Sequence, residues 1–408
     1  MLAHSSQILP THVLSLRVQS IKESPTLAIT AKAAKYKSEG RPIIGLAAGE
    51  PDFDTPQHIK DAAIAAINAG YTKYTPVSGI PALKRAILTK FKTENGFDYA
   101  INEVIVGVGG KQTIFNLCLA VLNKGDEVIV PAPYWVSYAD IALVAEAVPV
   151  IIECGIEQGF KLLPAQLAAA ITPKTKLVMF NSPSNPTGAV YNLEELKALG
   201  EVLLKHPHVL VATDDMYEHV NLTGDKFYNI LNATPALKDR CIVLNGVSKA
   251  YSMTGWRIGY AAGPAYIIKA MEILQSQSTS NATSISQYAA EAALSGPQDC
   301  IKPMVTAFKE RHAYVVARFN KMPGLSCLMA GGAFYAFPDA RSAIASLHKA
   351  GKIDAATDMA FAEYLLEKFD VAVVPGSAFG AEGYFRISFA TSMENLRNAL
   401  DRIEKALN

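Results

Sequence analysis

The sequence predicts an α/β fold, in which helices cover both faces of a mostly parallel sheet and a smaller α/β domain adjoins the larger one. From Glu103 onwards, apolar strands alternate with helical segments, the order typical of parallel sheets that are buried on both sides. The chain has 408 residues, more than one ordinary domain, and its Gly and Pro residues are spread without a linker run. We therefore expect two domains in close contact.

Composition excludes several classes of protein. Hydrophobic residues make up 50% of the chain and charged residues 18%, so a sizeable core is expected, and disorder or a coiled coil is not. The formal net charge is +1 without a concentrated basic stripe, which argues against nucleic acid as a partner. No stretch approaches the roughly 20 apolar residues that span a bilayer, so we expect no membrane partner.

The cysteines and the N-terminus favour a cytoplasmic protein. The five cysteines form neither a Cys-x-x-Cys pair nor a metal-ligand spacing, so we expect reduced thiols and no metal site. Between Met1 and Ser20, polar residues and a proline interrupt the apolar residues, which leaves no continuous apolar core for a secretory signal.

Periodicity and turn residues define the predicted elements in chain order. Ser24 as a cap and Pro25 in the first turn begin the first helix, and Gly40 ends it. The predicted helices cover residues 26–39, 56–69, 80–94, 113–122, 193–205, 284–295 and 303–321. The predicted strands cover residues 43–46, 104–106, 127–130, 176–180, 209–213, 258–262 and 385–390. A change of pattern near 296–297 predicts a large domain over 51–296 and a small domain built from 1–50 and 297–408.

A glycine-rich turn connects the strand at 104–106 to the following helix. Free backbone N–H groups at the positive end of a helix dipole bind phosphate, provided that no side chain keeps the ligand away. Gly109 and Gly110 lack such side chains and stand between strand and helix. We therefore predict a phosphate site at these two glycines.

The stretch from Gly246 to Gly259 contains Lys249 and, eight residues later, Arg257. A free lysine, with a pKa of about 10.4, attacks a carbonyl only where burial or nearby cations lower that pKa. Arginine suits a phosphate because its planar fork donates two parallel hydrogen bonds and keeps its charge. We interpret Lys249 as a Schiff-base lysine and Arg257 as a phosphate ligand. The simpler alternative is a surface lysine and arginine beside a glycine-rich turn.

This whole stretch resembles the pyridoxal-phosphate attachment signature of class I aminotransferases. Together with several loops in matching order, the resemblance extends from Gly49 to Arg386. It implies a fold-type I transferase that holds pyridoxal 5′-phosphate (PLP) at Lys249, and a homodimer with shared active sites. Its substrates would be amino acids and 2-oxo acids.

Asp214 follows the predicted strand at 209–213, where open α/β sheets bind ligands. A carboxylate that faces the pyridine nitrogen of PLP keeps that nitrogen protonated, and the protonated ring is the electron sink of the cofactor. We therefore expect Asp214 at this nitrogen, and the resemblance implies that Tyr217 donates to the 3′ oxygen. Asp215 stands where the family commonly has Glu, a departure that lies off the pyridine contact.

The resemblance assigns roles to further residues, each of which also has a simpler interpretation. Gly49 would pass over the substrate's carboxylate, and Tyr74 would reach the cofactor phosphate of the neighbouring subunit, although both lie in loops that need no function. Trp135 would stack on the pyridine ring and border the substrate rather than only fill a core gap. Asn185, in a run similar to Asn-Pro-x-Asn-Pro-Thr-Gly with one serine inserted, would bond the 3′ oxygen and border the substrate. Arg386, inside an apolar strand, would bind the α-carboxylate, since a buried arginine is costly without an anion.

The residue that holds a distal carboxylate is not evident from the sequence. Family members from animals and enteric bacteria place an arginine after the lysine signature, but none occurs between Arg257 and Arg311. Lys111 is the best remaining cation, and Lys22 and Thr26 at the N-terminal helix complete the predicted clamp. An open alternative is that Lys111 binds only the cofactor phosphate.

The resemblance is closest to the bacterial aspartate/prephenate subgroup. It implies ping-pong transfer of an amino group between L-aspartate and 2-oxoglutarate, which yields oxaloacetate and L-glutamate. An alternative is prephenate as acceptor, because related sequences of the subgroup accept it. A PLP lyase or decarboxylase is a further alternative, since the lysine signature reports cofactor attachment and not which bond breaks. A PLP-binding transcriptional regulator is disfavoured because neither a helix-turn-helix domain nor a basic run is evident.

Overall fold

Twelve strands and fifteen α-helices lie within residues 13–21 and 25–408, the part of the chain that the computed structural model describes. The strands are β1 (Ile44–Gly45), β2 (Val104–Val108), β3 (Glu127–Ala132), β4 (Val148–Glu153), β5 (Thr175–Asn181), β6 (Leu210–Asp214), β7 (Cys241–Gly246), β8 (Ile258–Ala262), β9 (Tyr335–Ala336), β10 (Val371–Ala372), β11 (Val374–Pro375) and β12 (Phe385–Ser388). The helices are α1 (Leu16–Gln19), α2 (Pro25–Ser38), α3 (Gln57–Asn68), α4 (Pro81–Lys90), α5 (Gly109–Val121), α6 (Ser137–Val144), α7 (Pro164–Ala170), α8 (Leu193–Leu204), α9 (Ile230–Ala233), α10 (Ala265–Ser276), α11 (Ser284–Ser295), α12 (Ile301–Phe319), α13 (Arg341–Lys349), α14 (Asp358–Phe369) and α15 (Met393–Leu407). Lys22 and Ser24 lie outside the described residues.

The central sheet has seven strands in the order β2-β8-β7-β6-β5-β3-β4. Strands β4, β3, β5, β6 and β7 run parallel, whereas β8 is antiparallel to both of its neighbours, β2 and β7. The prediction of an α/β fold with a mostly parallel sheet is therefore confirmed.

Helices cover both faces of this sheet because both faces are apolar. Successive side chains of a strand point to opposite faces. Val104 and Val106 of β2 belong to the apolar cluster that includes residues of α4, α8 and α11. Ile105 of the same strand belongs to a second cluster, with residues of α5, α6 and α10. The strands thus read as continuous apolar runs, as in parallel sheets buried on both sides.

The direction of β8 decides which residues meet at one edge of the sheet. Val108, the last residue of β2, lies opposite Ile258, and Gly246, the last residue of β7, lies opposite Gly259. Because β8 runs against its neighbours, the residue before Ile258 lies at the edge where β2 and β7 end. The carboxyl ends of the parallel strands β5, β6 and β7 also lie at this edge.

Segments from both ends of the chain form two smaller sheets. β1 pairs in parallel with β10, so that Ile44 lies opposite Val371. β12 pairs antiparallel with β11 and with β9. Ala33 of α2 packs in an apolar cluster with Leu366 and Ala372. This packing joins the N-terminal helix to the C-terminal third of the chain.

The largest difference from the predicted elements concerns the glycine-rich turn. β2 runs through Val108, and α5 begins at Gly109 rather than at the predicted residue 113. Gly109 adopts a φ of +80°, which glycine tolerates without strain, so the strand enters the helix without a separate loop. The predicted helix over 80–94 is α4 followed by a π-helical turn, Phe91–Asn95. Strands β4 and β7 went unpredicted.

No helix within residues 13–21 and 25–408 is both long enough and apolar enough to cross a bilayer.

Candidate active site

A cavity of about 380 Å³ opens at the edge of the central sheet where β5, β6 and β7 end. Its walls combine this edge with segments that belong to the smaller sheets. Most of the predicted site residues line it: Thr26, Gly49, Gly110, Lys111, Trp135, Asn185, Asp214, Tyr217, Lys249, Arg257 and Arg386. Gly109 lies next to the cavity, in contact with Arg257.

Two predicted site residues lie elsewhere. Tyr74 is 91% exposed on the surface of the single chain and does not line the cavity. Lys22 lies outside the described residues, whereas Thr26, its predicted partner, lines the cavity from the first turn of α2. The predicted roles of both remain predictions.

The glycine pair and Arg257 form one wall. Arg257 has a φ of +57° and donates a 2.8 Å hydrogen bond from Nη1 to the carbonyl oxygen of Thr254. A Cβ atom at Gly109 would overlap the Arg257 guanidinium, and a Cβ atom at Gly110 would lie 2.6 Å from Cε of Met216. The positive φ of Gly109 favours glycine at that position, whereas a side chain at Gly110 would require Met216 to move. The first N–H groups of α5 have no partner within the helix, so this wall presents hydrogen-bond donors beside a permanent cation.

Lys249 has the properties that nucleophilic catalysis by a lysine requires. Its Nζ donates a 2.5 Å hydrogen bond to the carbonyl oxygen of Gly49. Burial, followed by the positive charges of Arg386 and Arg257, lowers the pKa of Lys249 to about 8. An appreciable fraction of the amine is therefore neutral near physiological pH, which makes it able to act as a nucleophile or as a base.

Asp214 ends β6 as a buried carboxylate. Tyr138 donates a 2.6 Å hydrogen bond to its Oδ2, and the backbone N–H of Met216 donates to its Oδ1 at 3.2 Å. Burial raises the pKa of Asp214, and the hydrogen bond from Tyr138 opposes that rise. A cationic partner in the cavity would stabilise the ionised form.

Arg386 is a buried cation that is only partly satisfied. Its Nη1 donates to Oδ1 of Asn185 at 2.8 Å, and its Nη2 donates to the carbonyl oxygen of Ala47 at 2.6 Å. Its Nε has no hydrogen-bond partner among the described residues, although the residue is only 2% exposed. Burial lowers the pKa of Arg386. A buried guanidinium with an unused donor beside a cavity favours an anionic ligand.

Lys111 and Trp135 lie together on the cavity wall. Nζ of Lys111 is 5.1 Å from the centre of the Trp135 ring, a cation–π contact. Desolvation, followed by the charge of Arg257, lowers the pKa of Lys111. Trp135 in turn meets the ring of Tyr138 edge to face at 5.4 Å.

Three further residues of the site were not predicted. Tyr335 lines the cavity, and its Oη is 2.8 Å from Oη of Tyr217. Asn181 donates from Nδ2 to the carbonyl oxygen of Asp214 at 2.9 Å and accepts from the backbone N–H of Asn185 at 2.7 Å. Tyr138 is the third. The position of Asn181, directly at the end of a strand, is a sequence signal that could have identified it; Tyr335 and Tyr138 carry no comparable signal.

The family model for class I and II aminotransferases matches residues 41–403. The chain belongs to this family. The family uses PLP, and its members transfer amino groups between amino acids and 2-oxo acids.

Individual relatives resemble the chain over almost its full length. The aspartate/prephenate aminotransferase of Nitrosomonas europaea is 61% identical over 97% of this chain and 99% of that protein. The protein of the same name from Cereibacter sphaeroides is 54% identical over 96% of this chain and 98% of that protein.

Solved structures of similar proteins share the fold. The aspartate aminotransferase of Rhizobium meliloti superimposes with a TM-score of 0.91 at 48% identity, over 97% of this chain and 98% of that chain. The aspartate aminotransferase of Thermus thermophilus, solved with maleate, gives 0.90 at 42% identity, over 96% and 99%.

The residues of the cavity fit PLP in both charge and shape. The wall of Gly109, Gly110 and Arg257 suits a phosphate, because a Cβ atom on Gly109 would collide with the Arg257 guanidinium and the first N–H groups of α5 lie beside this cation. The buried carboxylate of Asp214 suits a protonated ring nitrogen, and the lowered pKa of Lys249 suits covalent attachment to an aldehyde.

Proposed function

We propose that this transaminase binds PLP and transfers an amino group between L-aspartate and 2-oxoglutarate, giving oxaloacetate and L-glutamate. The observation that carries the proposal is one cavity lined by a lysine of lowered pKa, a buried carboxylate and a buried arginine with an unused donor. A second candidate acceptor is prephenate, favoured by the names of the relatives from N. europaea and C. sphaeroides.

The cofactor would be held by residues at both ends of the cavity. Arg257 and the N–H groups at Gly109 and Gly110 would hold its phosphate, and Asp214 would keep its ring nitrogen protonated. Trp135 would cover the ring, while Asn185 and Tyr217 would bond its 3′ oxygen. The bound cofactor would supply a protonated pyridine ring that takes up the electrons released at the substrate's Cα.

Lys249 would move the proton that the reaction requires. Its neutral amine would take the proton from the substrate's Cα and would later donate a proton to the cofactor carbon that is joined to the substrate nitrogen. One group would thus serve first as base and then as acid. The lowered pKa of Lys249 supports this double role, because an amine with a pKa of about 8 both accepts and releases protons readily near neutral pH. The carbonyl of Gly49 orients the amine by accepting its hydrogen bond.

Arg386 would orient the amino acid by its α-carboxylate. Asn185 and Ala47 accept hydrogen bonds from two of its nitrogens and thereby hold the guanidinium plane. For the distal carboxylate, we propose Lys111, with Lys22 and Thr26 as further contacts. The open alternative is that Lys111 serves only the cofactor phosphate.

The assembly and the location belong to the same proposal. We propose a homodimer in which Tyr74 reaches the partner's cavity, since this tyrosine is exposed on the single chain.

We keep the predicted division into a large domain over 51–296 and a small domain from 1–50 and 297–408, which the pairing of β1 with β10 supports. Five free cysteines support a cytoplasmic location.

Attachment of the cofactor is tested by reduction. After reconstitution with PLP and treatment with borohydride, peptide mapping should find the label on Lys249. Lys249→Ala should lose transamination while it retains some non-covalent cofactor binding, because the phosphate wall and Asp214 remain. A label on a different lysine would contradict the proposed site.

Substrate choice is tested by half-reactions. Each amino acid in a panel is mixed with the loaded protein, and conversion of the cofactor to its amine form is followed by absorbance. Aspartate and glutamate should react fastest, and 2-oxoglutarate, oxaloacetate or prephenate should restore the aldehyde form. If no 2-oxo acid restores it, the proposed transamination is wrong and the alternative of a PLP lyase or decarboxylase is favoured.

A further inference from the structure

Tyr335 connects the two halves of the cavity, although no role has been assigned to it. It begins β9, its side chain is fully buried at 0% exposure, and it lines the cavity. Its hydroxyl touches Tyr217 on the proposed cofactor side, and its ring touches Arg386 on the proposed substrate side. We propose that Tyr335 is a positioning residue that directs the hydroxyl proton of Tyr217 into the cavity and holds the guanidinium of Arg386. This inference rests on the proposed function.

The hydroxyl half of the proposal follows from counting protons. Oη of Tyr335 and Oη of Tyr217 are 2.8 Å apart, and each hydroxyl has one proton to donate. If Tyr217 donated to Tyr335, it would have no proton left for a ligand in the cavity. If Tyr335 donates instead, Tyr217 accepts this bond and its own proton is free for the 3′ oxygen of the cofactor.

The surroundings of the two hydroxyls favour Tyr335 as the donor. Burial raises the pKa of both tyrosines, and the positive charge of Arg386 opposes that rise at both, but the pKa of Tyr217 is raised further than that of Tyr335. The Arg386 guanidinium lies 4.5 Å from the centre of the Tyr335 ring. The more acidic hydroxyl is the better donor, and a hydroxyl that accepts one hydrogen bond donates more strongly to its next partner.

The ring half of the proposal follows from the position of Arg386. Its guanidinium lies between two aromatic rings, at 4.5 Å from the centre of Tyr335 and 4.9 Å from the centre of Phe379. Cation–π attraction is strongest where both partners are removed from water, as they are here. The rings and the hydrogen bonds to Asn185 and Ala47 together fix the direction of the unused Nε.

Tyr335 also lies close to Gly49. A Cβ atom on Gly49 would lie only 2.8 Å from Oη of Tyr335, so Tyr335 leaves little room for a side chain at this position. The carbonyl of Gly49 in turn accepts the hydrogen bond of Lys249. Tyr335 thus adjoins Tyr217, Arg386 and Gly49, three of the groups to which the proposed reaction assigns a hydrogen bond or a carboxylate.

Two substitutions separate the hydroxyl from the ring. Tyr335→Phe removes only the hydroxyl, whereas Tyr335→Met removes both and fills a similar volume, which limits the risk of misfolding. Phe379→Met removes the second ring from Arg386 without touching a hydroxyl. Tyr99→Phe is the matched control, since the hydroxyl of Tyr99 is buried, has no partner among the described residues and does not line the cavity.

Two measurements on the PLP-loaded protein test the hydroxyl half and the ring half of the proposal separately. The first is the midpoint of the absorbance pH titration of the cofactor–lysine linkage. It should rise by about 0.5 pH unit in both Tyr335 variants, because a weaker donor at the 3′ oxygen stabilises its anionic form less. The second is the dissociation constant of maleate, a dicarboxylate without an amino group. It should rise about tenfold in Tyr335→Met and in Phe379→Met, and less than about twofold in Tyr335→Phe.

The outcomes that contradict the inference are distinct from those that contradict the proposed function. A midpoint in Tyr335→Phe equal to that of wild type and Tyr99→Phe would disprove the hydroxyl half. Equal maleate affinity in Tyr335→Met and Tyr335→Phe would disprove the ring half. A wild-type protein that binds PLP at Lys249 but leaves aspartate unchanged would contradict the proposed substrate, yet the titration midpoint, which requires only bound PLP, would still decide the hydroxyl half of the inference.

Discussion

Lys249 donates a hydrogen bond of 2.5 Å from its Nζ to the carbonyl oxygen of Gly49, a residue 200 positions earlier in the chain. Gly49 follows β1, which pairs with β10 in a small sheet, whereas Lys249 follows β7 of the central sheet. The bond therefore joins the two main bodies of secondary structure at the proposed reacting amine. It also places that amine near Arg386 and Arg257, whose charges lower its pKa.

The burial of Lys249 near two arginines predicts a pH-dependent cost in stability. The pKa of Lys249 is about 8 in the folded protein and about 10.4 in the unfolded chain. Well below pH 8 the amine is protonated in both the folded and the unfolded protein, and the folded state carries the full free-energy cost of holding this cation. Between pH 8 and 10.4 the unfolded chain binds more protons, so the cost is relieved as the pH rises.

In the cofactor-free protein, Lys249→Met should therefore raise the free energy of unfolding at pH 7, because it removes this cation. The rise should be only about 1–2 kcal/mol, because part of the side chain remains in contact with solvent, which screens its charge. The gain should shrink steadily above pH 8 and vanish near pH 10.4. Urea unfolding of both proteins at pH 7, 9 and 10 measures it. A gain that does not change with pH would show that charge is not its cause.

Tyr138 should control the acid limit of activity through Asp214. Its hydrogen bond opposes the rise that burial causes in the pKa of Asp214, so Tyr138→Phe should raise that pKa further. Because the carboxylate must be ionised to hold a protonated ring, the acidic limb of the pH profile of kcat/KM should move to higher pH by about one unit. Asp214→Asn should lower kcat at all pH values by more than about 100-fold. An unmoved acidic limb in Tyr138→Phe would exclude Asp214 as its origin.

Tyr74 should act across a subunit interface. Lys249→Ala and Tyr74→Phe should each impair activity, and mixing the two variants under conditions of subunit exchange should restore it in hybrid dimers. In a hybrid, one cavity receives both the intact lysine and the intact tyrosine. Activity is measured against each parent after exchange is confirmed by mass spectrometry. No recovery above the better parent would mean that Tyr74 does not serve the neighbouring site.

Lys111 should discriminate between substrates if it holds the distal carboxylate. Lys111→Ala should then lower kcat/KM for aspartate by at least about 30-fold while phenylalanine is affected much less. Lys226→Ala is a matched control, because Nζ of Lys226 lies 5.3 Å from the Tyr228 ring in a similar contact outside the cavity. An equal loss for both substrates, with weaker cofactor binding, would assign Lys111 to the phosphate alone.

The sequence predicted most of the fold and nearly all of the cavity's charged residues. Strands 258–262 and helix 284–295 have their predicted bounds, because their apolar periodicity is local and uninterrupted. The start of α5 was wrong by several residues, since the positive φ of Gly109 belongs to the junction of a particular strand and helix. Strand β7, which is buried at every position, went unpredicted, although the equally buried β8 was predicted with its full bounds.

The sequence alone determined which functional groups lie close to one another within short segments of the chain. The spacing of Lys249 and Arg257, the two glycines after a strand and the carboxylate at a strand's end are properties of short segments, and each predicts its ligand by charge and shape. The aminotransferase family was indicated by the resemblance of the stretch from Gly246 to Gly259, and of several loops, to the motifs of that family.

Only the tertiary structure decided how these groups are tuned. Asp214 is paired with Tyr138, 76 residues away, and Tyr217 with Tyr335, 118 residues away. Arg386 donates to Ala47, 339 residues away. A hydrogen-bond partner, the loss of water around a charge and the field of a distant arginine depend on where the sheet brings separate segments together. The antiparallel direction of β8, which places Arg257 beside Gly109, is the plainest example, because no local pattern in the sequence specifies it.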